Sequence, residues 1–253
     1  MRLHLFEFND QPWLPATIRN WLTAYLLVAY RSTPFGGMFG QRVAALMKES
    51  GSTRIVDLCS GAGGPIAIVK EELERAGMAP RITMTDLFPN RDAIHPSIDY
   101  WPEPVDARAV PKQLTGMRTM FAGFHHFEPS DATRILRSAF EDRCAIGVFE
   151  LTARTPVGIA GALLIPFGVL LMTPRIRPVS IAQLLFTYLI PILPLIILWD
   201  GMVSQWRTYT PDEMRAMTKN LDAIDYEWES GMAQVPGTPL AVPYLTGRPR
   251  SAS

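Results

Sequence analysis

The chain has 253 residues, with 24 Lys and Arg balanced by 24 Asp and Glu. At 48 % hydrophobic and 19 % charged it has the composition of a folded chain, which excludes a disordered one. A net charge of zero argues against a general nucleic-acid binder, which needs a basic face.

Residues 12–50 read as helical. Trp13, Ile18, Trp21, Leu22 and Tyr25 recur near helical spacing. Thr33-Pro34-Phe35-Gly36-Gly37 predicts a break, and a second helix is expected from about 38 to 50. Strand and helix signals alternate from residue 54. Strands are expected at 54–59, 81–86, 98–101, 119–125 and 144–151, and helices at 65–76 and 129–140. The fifth strand is apolar nearly throughout, as a buried parallel strand should be. Thr210-Pro211-Asp212-Glu213 starts another helix, with a threonine suited to the N-cap and a proline to the first helical position. Closing strands are expected at 222–230 and 240–246. This order predicts an α/β fold: a Rossmann-like, mostly parallel seven-stranded sheet with helices on both faces. The expected division is an N-terminal helical cap (1–50), a cofactor-binding core (51–154), a hydrophobic helical insert after the fifth strand (155–200) and the C-terminal part of the core (201–253).

The first strand turns into the first core helix through Asp57-Leu58-Cys59-Ser60-Gly61-Ala62-Gly63-Gly64-Pro65. Glycines there permit positive φ and close approach of a ligand to the backbone. A nicotinamide enzyme would carry glycine or alanine at 66, where Ile66 stands, and Asp57 would sit near its pyrophosphate. A positively charged ligand without phosphate suits Asp57 better.

This run resembles motif I of the class I S-adenosylmethionine-dependent methyltransferases, with Cys59 in place of the motif's first glycine. The resemblance extends in order and spacing over 54–151. It implies S-adenosylmethionine as cofactor, held by Asp57, Ser60, Gly61, Ala62 and Gly63. It implies further contacts from Asp86 and Leu87, 29 residues after Asp57, with Asp86 on the ribose, and from Asp106 and Ala107, with Asp106 toward the adenine amino group. Phe121-Ala122-Gly123-Phe124-His125-His126-Phe127 resembles motif IV of the small-molecule methyltransferases. His125, His126 and Glu150 are the candidate proton acceptors at the C-terminal edge of the sheet, where such folds bind ligands. Shaping the pocket or capping the next helix is the other role open to the two histidines. The D/N-P-P-Y/F motif of nucleic-acid amino-methyltransferases is absent, and neither cysteine follows a proline. A looser likeness to a group of bacterial methyltransferase-like proteins is carried by Asp10-Gln11-Pro12-Trp13, Asp57-Leu58-Cys59-Ser60-Gly61, Phe124-His125-His126-Phe127 and Asp200-Gly201-Met202-Val203-Ser204.

Residues 155–199 stand apart. Of these 45, 29 are hydrophobic, and Arg175 and Arg177 are the sole charges. The uncharged stretches 155–174 and 179–199 each approach the ~20 residues that cross a bilayer. Pro166, Pro191 and Pro194 would kink spanning helices. A hairpin anchored in the membrane, a helix pair lying on it, or a soluble lobe folded over the active site or buried in a homodimer all remain open. A small, lipophilic acceptor is the expectation that follows, with no nucleic acid. Cys59 and Cys144 stand 85 positions apart with no Cys-x-x-Cys or His-x-x-x-His spacing. That gives no support to a disulfide framework or a metal site and fits a reducing cytoplasm, at the inner face of the membrane. A nicotinamide-dependent oxidoreductase and a non-catalytic membrane-associated binding protein are the alternatives.

Overall fold

The computed structural model describes residues 1–89, 97–221 and 223–250. Two helices, α1 (Ala16–Arg31) and α2 (Phe35–Ser50), precede strand β1 (Arg54–Leu58) and helix α3 (Gly64–Arg75). Strands β2 (Arg81–Met84), β3 (Asp99–Tyr100) and β4 (Met117–Phe121) follow, then α4 (Pro129–Glu141) and β5 (Ile146–Phe149). Next come α5 (Pro156–Ala162), α6 (Ile165–Met172), α7 (Ile181–Leu184) and α8 (Ile192–Arg207), and then α9 (Pro211–Thr218), β6 (Tyr226–Gln234) and β7 (Ala241–Pro249). The chain forms two compact units. One joins Phe35–Leu151 to Tyr209–Ser253, and the other joins Met1–Pro34 to Thr152–Thr208.

The first unit is built on a seven-stranded sheet in the order β3-β2-β1-β4-β5-β7-β6. All observed pairings are parallel up to β5, and β7 runs antiparallel to both β5 and β6. This is the predicted α/β architecture. Val56, Leu58, Met120, Ile146 and Val148 meet Ile135, Leu136 and Ala139 of α4 in one buried core. The start of α9 is as expected: Thr210 and Glu213 form a reciprocal capping box behind Pro211.

Three expectations need correction here. The second N-terminal helix begins at Phe35, not near 38, so Gly36 and Gly37 lie inside it. They do not break the helix, because small residues let α2 and α3 approach closely. A Cβ at Gly40 would stand 2.6 Å from the Glu72 Cβ, and one at Gly36 would overlap Ile68. The fourth strand ends at Phe121 rather than reaching 125. Ala122 takes φ 49, which turns the backbone out of the sheet. The last two strands end later than predicted, at Gln234 and Pro249, and β6 begins at Tyr226; position 222, where it was expected to begin, lies outside the described residues.

The second unit is helical. Leu22 and Tyr25 of α1 pack with Val169 of α6 and with Leu193, Ile196 and Ile197 of α8. The apolar insert does not form two long helices. It breaks into α5 and α6, then α7 continued by a π-helical turn over Leu185–Leu189, then α8. The prolines explain the division. Pro166 and Pro194 occupy first-turn positions of α6 and α8 and Pro191 precedes α8, so all three lie at helix starts where a kink was expected, as Pro156 does at the start of α5. The segment before α1 lies along α8. Leu3 N donates to Trp206 O, Trp199 Nε1 to Phe6 O, and Arg207 Nε to Leu5 O.

Candidate cofactor and active site

At the carboxyl end of β1 the backbone leaves the sheet through three left-handed residues: Cys59 (φ 56), Gly61 (φ 52) and Gly63 (φ 75). Cys59 replaces the glycine of the resembled motif yet keeps the backbone geometry that favours glycine, at a cost of about 1–2 kcal/mol. Burial pushes its thiol pKa up, which leaves it a poor nucleophile. Gly63 caps α3 and lies against Met84, whose Sδ would be 2.5 Å from a Cβ placed there. At Gly61 a Cβ would meet nothing within 4 Å among the described residues, so this part of the loop faces open space.

Asp57 holds the loop from below. The parallel register sets it opposite Thr119 on β4, and Thr119 Oγ1 donates to Asp57 Oδ1 at 2.6 Å. Ser60 Oγ donates to Asp57 Oδ2 at 2.6 Å. Thr85 donates to the Asp57 carbonyl through both its N–H and its hydroxyl, each at 2.8 Å, while Ser60 N donates to Thr85 O. Asp57 is 3 % exposed. Burial lifts its carboxyl from the usual range to about 7, against the two hydroxyl bonds that favour the ionised form. Its side chain therefore acts inside the fold, tying loop to sheet. Thr85 and Thr119 escaped the sequence reading because an inward threonine on a strand, or just after one, looks like any other.

Asp86 follows β2 and reaches the same loop. Its Oδ2 accepts Gly61 N at 2.9 Å and its Oδ1 accepts Phe88 N at 2.9 Å. Leu87 beside it is exposed. Tyr100, absent from the sequence reading, donates its hydroxyl to Gly61 O at 3.2 Å. Asp106 is engaged differently. Arg108 places Nε 2.9 Å from its Oδ1 and Nη2 2.7 Å from its Oδ2, and Arg108 N donates to Oδ1 as well. These bonds hold the Asp106 carboxyl below the usual carboxylate range. Ala107 is buried beside it.

The three candidate proton acceptors come together after β4 and β5. His125 and His126 lie in a single 3-10 turn, Phe124–His126, and not at a strand end. That turn is braced by Tyr209, whose hydroxyl donates to Phe127 O at 2.7 Å and whose ring meets Phe124 edge-on. Glu150 follows β5. Its Oε1 accepts His125 N at 2.9 Å, and its Oε2 lies 2.7 Å from His125 Nδ1. The carboxylate thus accepts a hydrogen bond from Nδ1 and leaves Nε2 as the ring nitrogen turned away from Glu150. The His126 ring lies 4.3 Å from that of His125, centroid to centroid.

No family model matches the chain, and no curated protein matches it. Solved structures do. The plantazolicin methyltransferase BpumL in complex with SAH aligns with a TM-score of 0.54 at 11 % identity, over 93 % of this chain and 98 % of that one. The plantazolicin methyltransferase BamL, in complex with a triazolic desmethylPZN analog and SAH, aligns at 0.53 and 10 % identity over 93 % and 97 %. A candidate O-methyltransferase from Nostoc punctiforme PCC 73102 aligns at 0.50 and 16 % identity over 95 % of this chain and 63 % of that one. The chain thus has the fold of the class I S-adenosylmethionine-dependent methyltransferases, as the glycine loop and strand order predict.

Proposed function

We propose that the chain transfers a methyl group from S-adenosylmethionine to a small-molecule acceptor. The observation that carries this reading is the cradle at the carboxyl ends of β1 and β2. There the left-handed Gly61 faces open space and Asp86 stands beside it with carboxylate lone pairs directed at backbone N–H groups. These residues fit the cofactor: Asp86 offers acceptors for ribose hydroxyls, and the Ser60–Gly63 backbone allows close approach. The SAH carried by the similar plantazolicin methyltransferases supports the same reading. When bound, the cofactor supplies an electrophilic methyl on its sulfonium.

A dinucleotide fits less well. Pro65 stands in the first turn of α3 and removes an N–H that a pyrophosphate would use there. The antiparallel β7 between β5 and β6 also departs from the dinucleotide-binding strand order.

His125 is the residue assigned to accept a proton from the acceptor, with Glu150 holding its tautomer; His126 shapes the same turn. Pairing of this kind contributes ~10²–10⁴-fold where the nucleophile must lose a proton. A lipophilic acceptor is our further reading, supported by the uncharged chain that follows Glu150 from 155 to 174. Isothermal titration with S-adenosylhomocysteine tests the cofactor assignment. Saturable binding is expected, with none for NADH. No heat at high micromolar S-adenosylhomocysteine would overturn the proposal.

A further inference from the structure

We propose that the helical unit of residues 1–34 and 152–208 docks on the surface of an anionic lipid bilayer. Its exposed leucines enter one leaflet, and Arg175 and Arg177 meet the headgroup phosphates. This goes beyond methyl transfer and does not depend on it.

The first observation is that helices of this unit are apolar on the side away from their core. In α8, Leu193, Ile196 and Ile197 face the core, while Ile192, Leu195 and Trp199, also three or four residues apart, are exposed. In α6, Val169 is buried, whereas Phe167 and Leu171, one turn apart, are exposed. Leu171 is 70 % exposed, and Leu189, at the end of the π-helical turn, 74 %. A surface helix in water carries polar residues on that face. A contiguous apolar exterior marks a binding surface.

The second observation names the occupant. Arg175 and Arg177 sit between the two apolar stretches and are exposed. Both guanidiniums rest on carbonyl oxygens. Arg175 Nη1 donates to Leu171 O at 2.8 Å, and Arg177 Nη1 to Pro174 O at 2.7 Å. No acid lies anywhere in 155–199, so the segment joins leucines to uncompensated positive charge. Phosphates above acyl chains match both halves of that pattern. A second copy of the chain would offer leucines from the same segment but no carboxylate from it for the arginines.

The third observation limits depth. Among the described residues no single helix is long and apolar enough to cross a membrane, and the two helix pairs that reach that length only together bend by 45° and 72°. The eight residues of α6 rise ~12 Å, against a hydrocarbon thickness of ~30 Å. The last two turns of α8 are also held against the segment before α1, through Ser204 to Glu7 and Arg207 to Asp10. One leaflet is the depth we assign to helices this short and this sharply bent.

Flotation of the full chain with phosphatidylcholine vesicles, with and without phosphatidylglycerol, tests the proposal. Binding to the anionic vesicles is expected, with high salt releasing a large part of it. Replacing Arg175 and Arg177 with alanine should weaken binding about 10- to 30-fold. Leu171→Ser with Leu189→Ser should abolish it while leaving the melting temperature unchanged, since both side chains are exposed. No flotation with either vesicle, or flotation unaffected by both double variants, overturns the proposal. So does a lipid-free dimer in sedimentation velocity that the leucine variants dissociate, without vesicle binding. The readout needs no cofactor, so its failure leaves the methyl-transfer reading in place.

Discussion

Glu150 grips His125 at two points, accepting the backbone N–H at 2.9 Å and facing Nδ1 at 2.7 Å, with the carboxylate fully buried. One side chain thus sets both the turn and the tautomer. Glu150→Gln keeps an oxygen for the backbone but weakens the hold on Nδ1. We expect turnover to fall by ~10²-fold or more, with S-adenosylhomocysteine affinity within about twofold of wild type. Glu150→Ala should also lower stability by about 1–3 kcal/mol, seen as a lower melting temperature. A Gln variant that turns over at the wild-type rate would remove the proton-accepting role.

Asp57 links stability to pH. Its folded-state carboxyl titrates near 7, above the ordinary carboxylate value, so the folded chain binds the extra proton between about pH 4 and 7. Stability contributed by the protonated carboxyl is present below pH 4 and is lost as pH rises to 7. Asp57→Asn keeps an uncharged side chain at all pH. Unfolding in urea at pH 5 and at pH 7.5 should show wild type losing on the order of 2–3 kcal/mol more than the variant. Parallel losses in the two proteins would contradict the assignment.

Gly61 and Gly63 separate ligand approach from packing. Gly63→Ala combines φ 75 with an overlap on Met84 and should cost about 2–4 kcal/mol of stability. Gly61→Ala meets no overlap, so its stability cost is about 1–2 kcal/mol, from φ alone. Its methyl points into the cradle, however, and should weaken S-adenosylhomocysteine binding at least about tenfold. Melting curves and calorimetry on the pair would read the two effects apart.

What could be read from the sequence follows how local each feature is. The strand–turn–helix of 54–75 is local, and so are the Thr210 cap and the β/α alternation. Asp57, Gly61, Gly63 and Asp86 could be placed from those alone. The pairing of His125 with Glu150 could not, because it needs the left-handed turn at Ala122, which no residue type announces. Gly36 and Gly37 read as a helix breaker because the benefit of glycine at 36, close contact with Ile68 of α3, lies about 30 residues away. The prolines of 155–199 read as kinks because their position relative to each helix start is set by the packing of α1, α6 and α8. Asp10 and Asp200, which carried a looser likeness in separate motifs, prove to belong to one clamp.

Asp86 and Asp106 should differ in their effect on cofactor affinity. Among the described residues Asp86 stands at the open loop with hydrogen bonds from the Gly61 and Phe88 backbone N–H groups, whereas Asp106 is committed to Arg108, which also bonds Asp131. Asp86→Ala should reduce S-adenosylhomocysteine affinity by ~10- to 100-fold. Asp106→Ala should reduce it less than about fivefold while lowering the melting temperature through the loss of the Arg108 contacts. Equal losses would mean that Asp106 leaves Arg108 when the ligand binds.

The clamp on α8 gives the last test. Asp200 accepts Phe8 N at 2.7 Å and Asn9 N at 3.0 Å, while Arg207 reaches Asp10 at 2.7 Å and Glu7 at 3.2 Å. Glu7 and Arg207 are both buried, so truncating the arginine leaves a carboxylate in a poorly solvated site without that cation. A loss of about 3–5 kcal/mol is typical of a buried pair broken on one side. The loss is local, since these bonds tie only residues 2–10 to α8. Chymotrypsin should therefore cut Arg207→Ala rapidly near Leu5, Phe6 and Phe8, with Asp200→Asn intermediate because its amide still accepts one N–H. Cleavage of Arg207→Ala at the wild-type rate would show that the apolar contacts of Phe6 and Phe8 with Trp199 hold the segment without the charges.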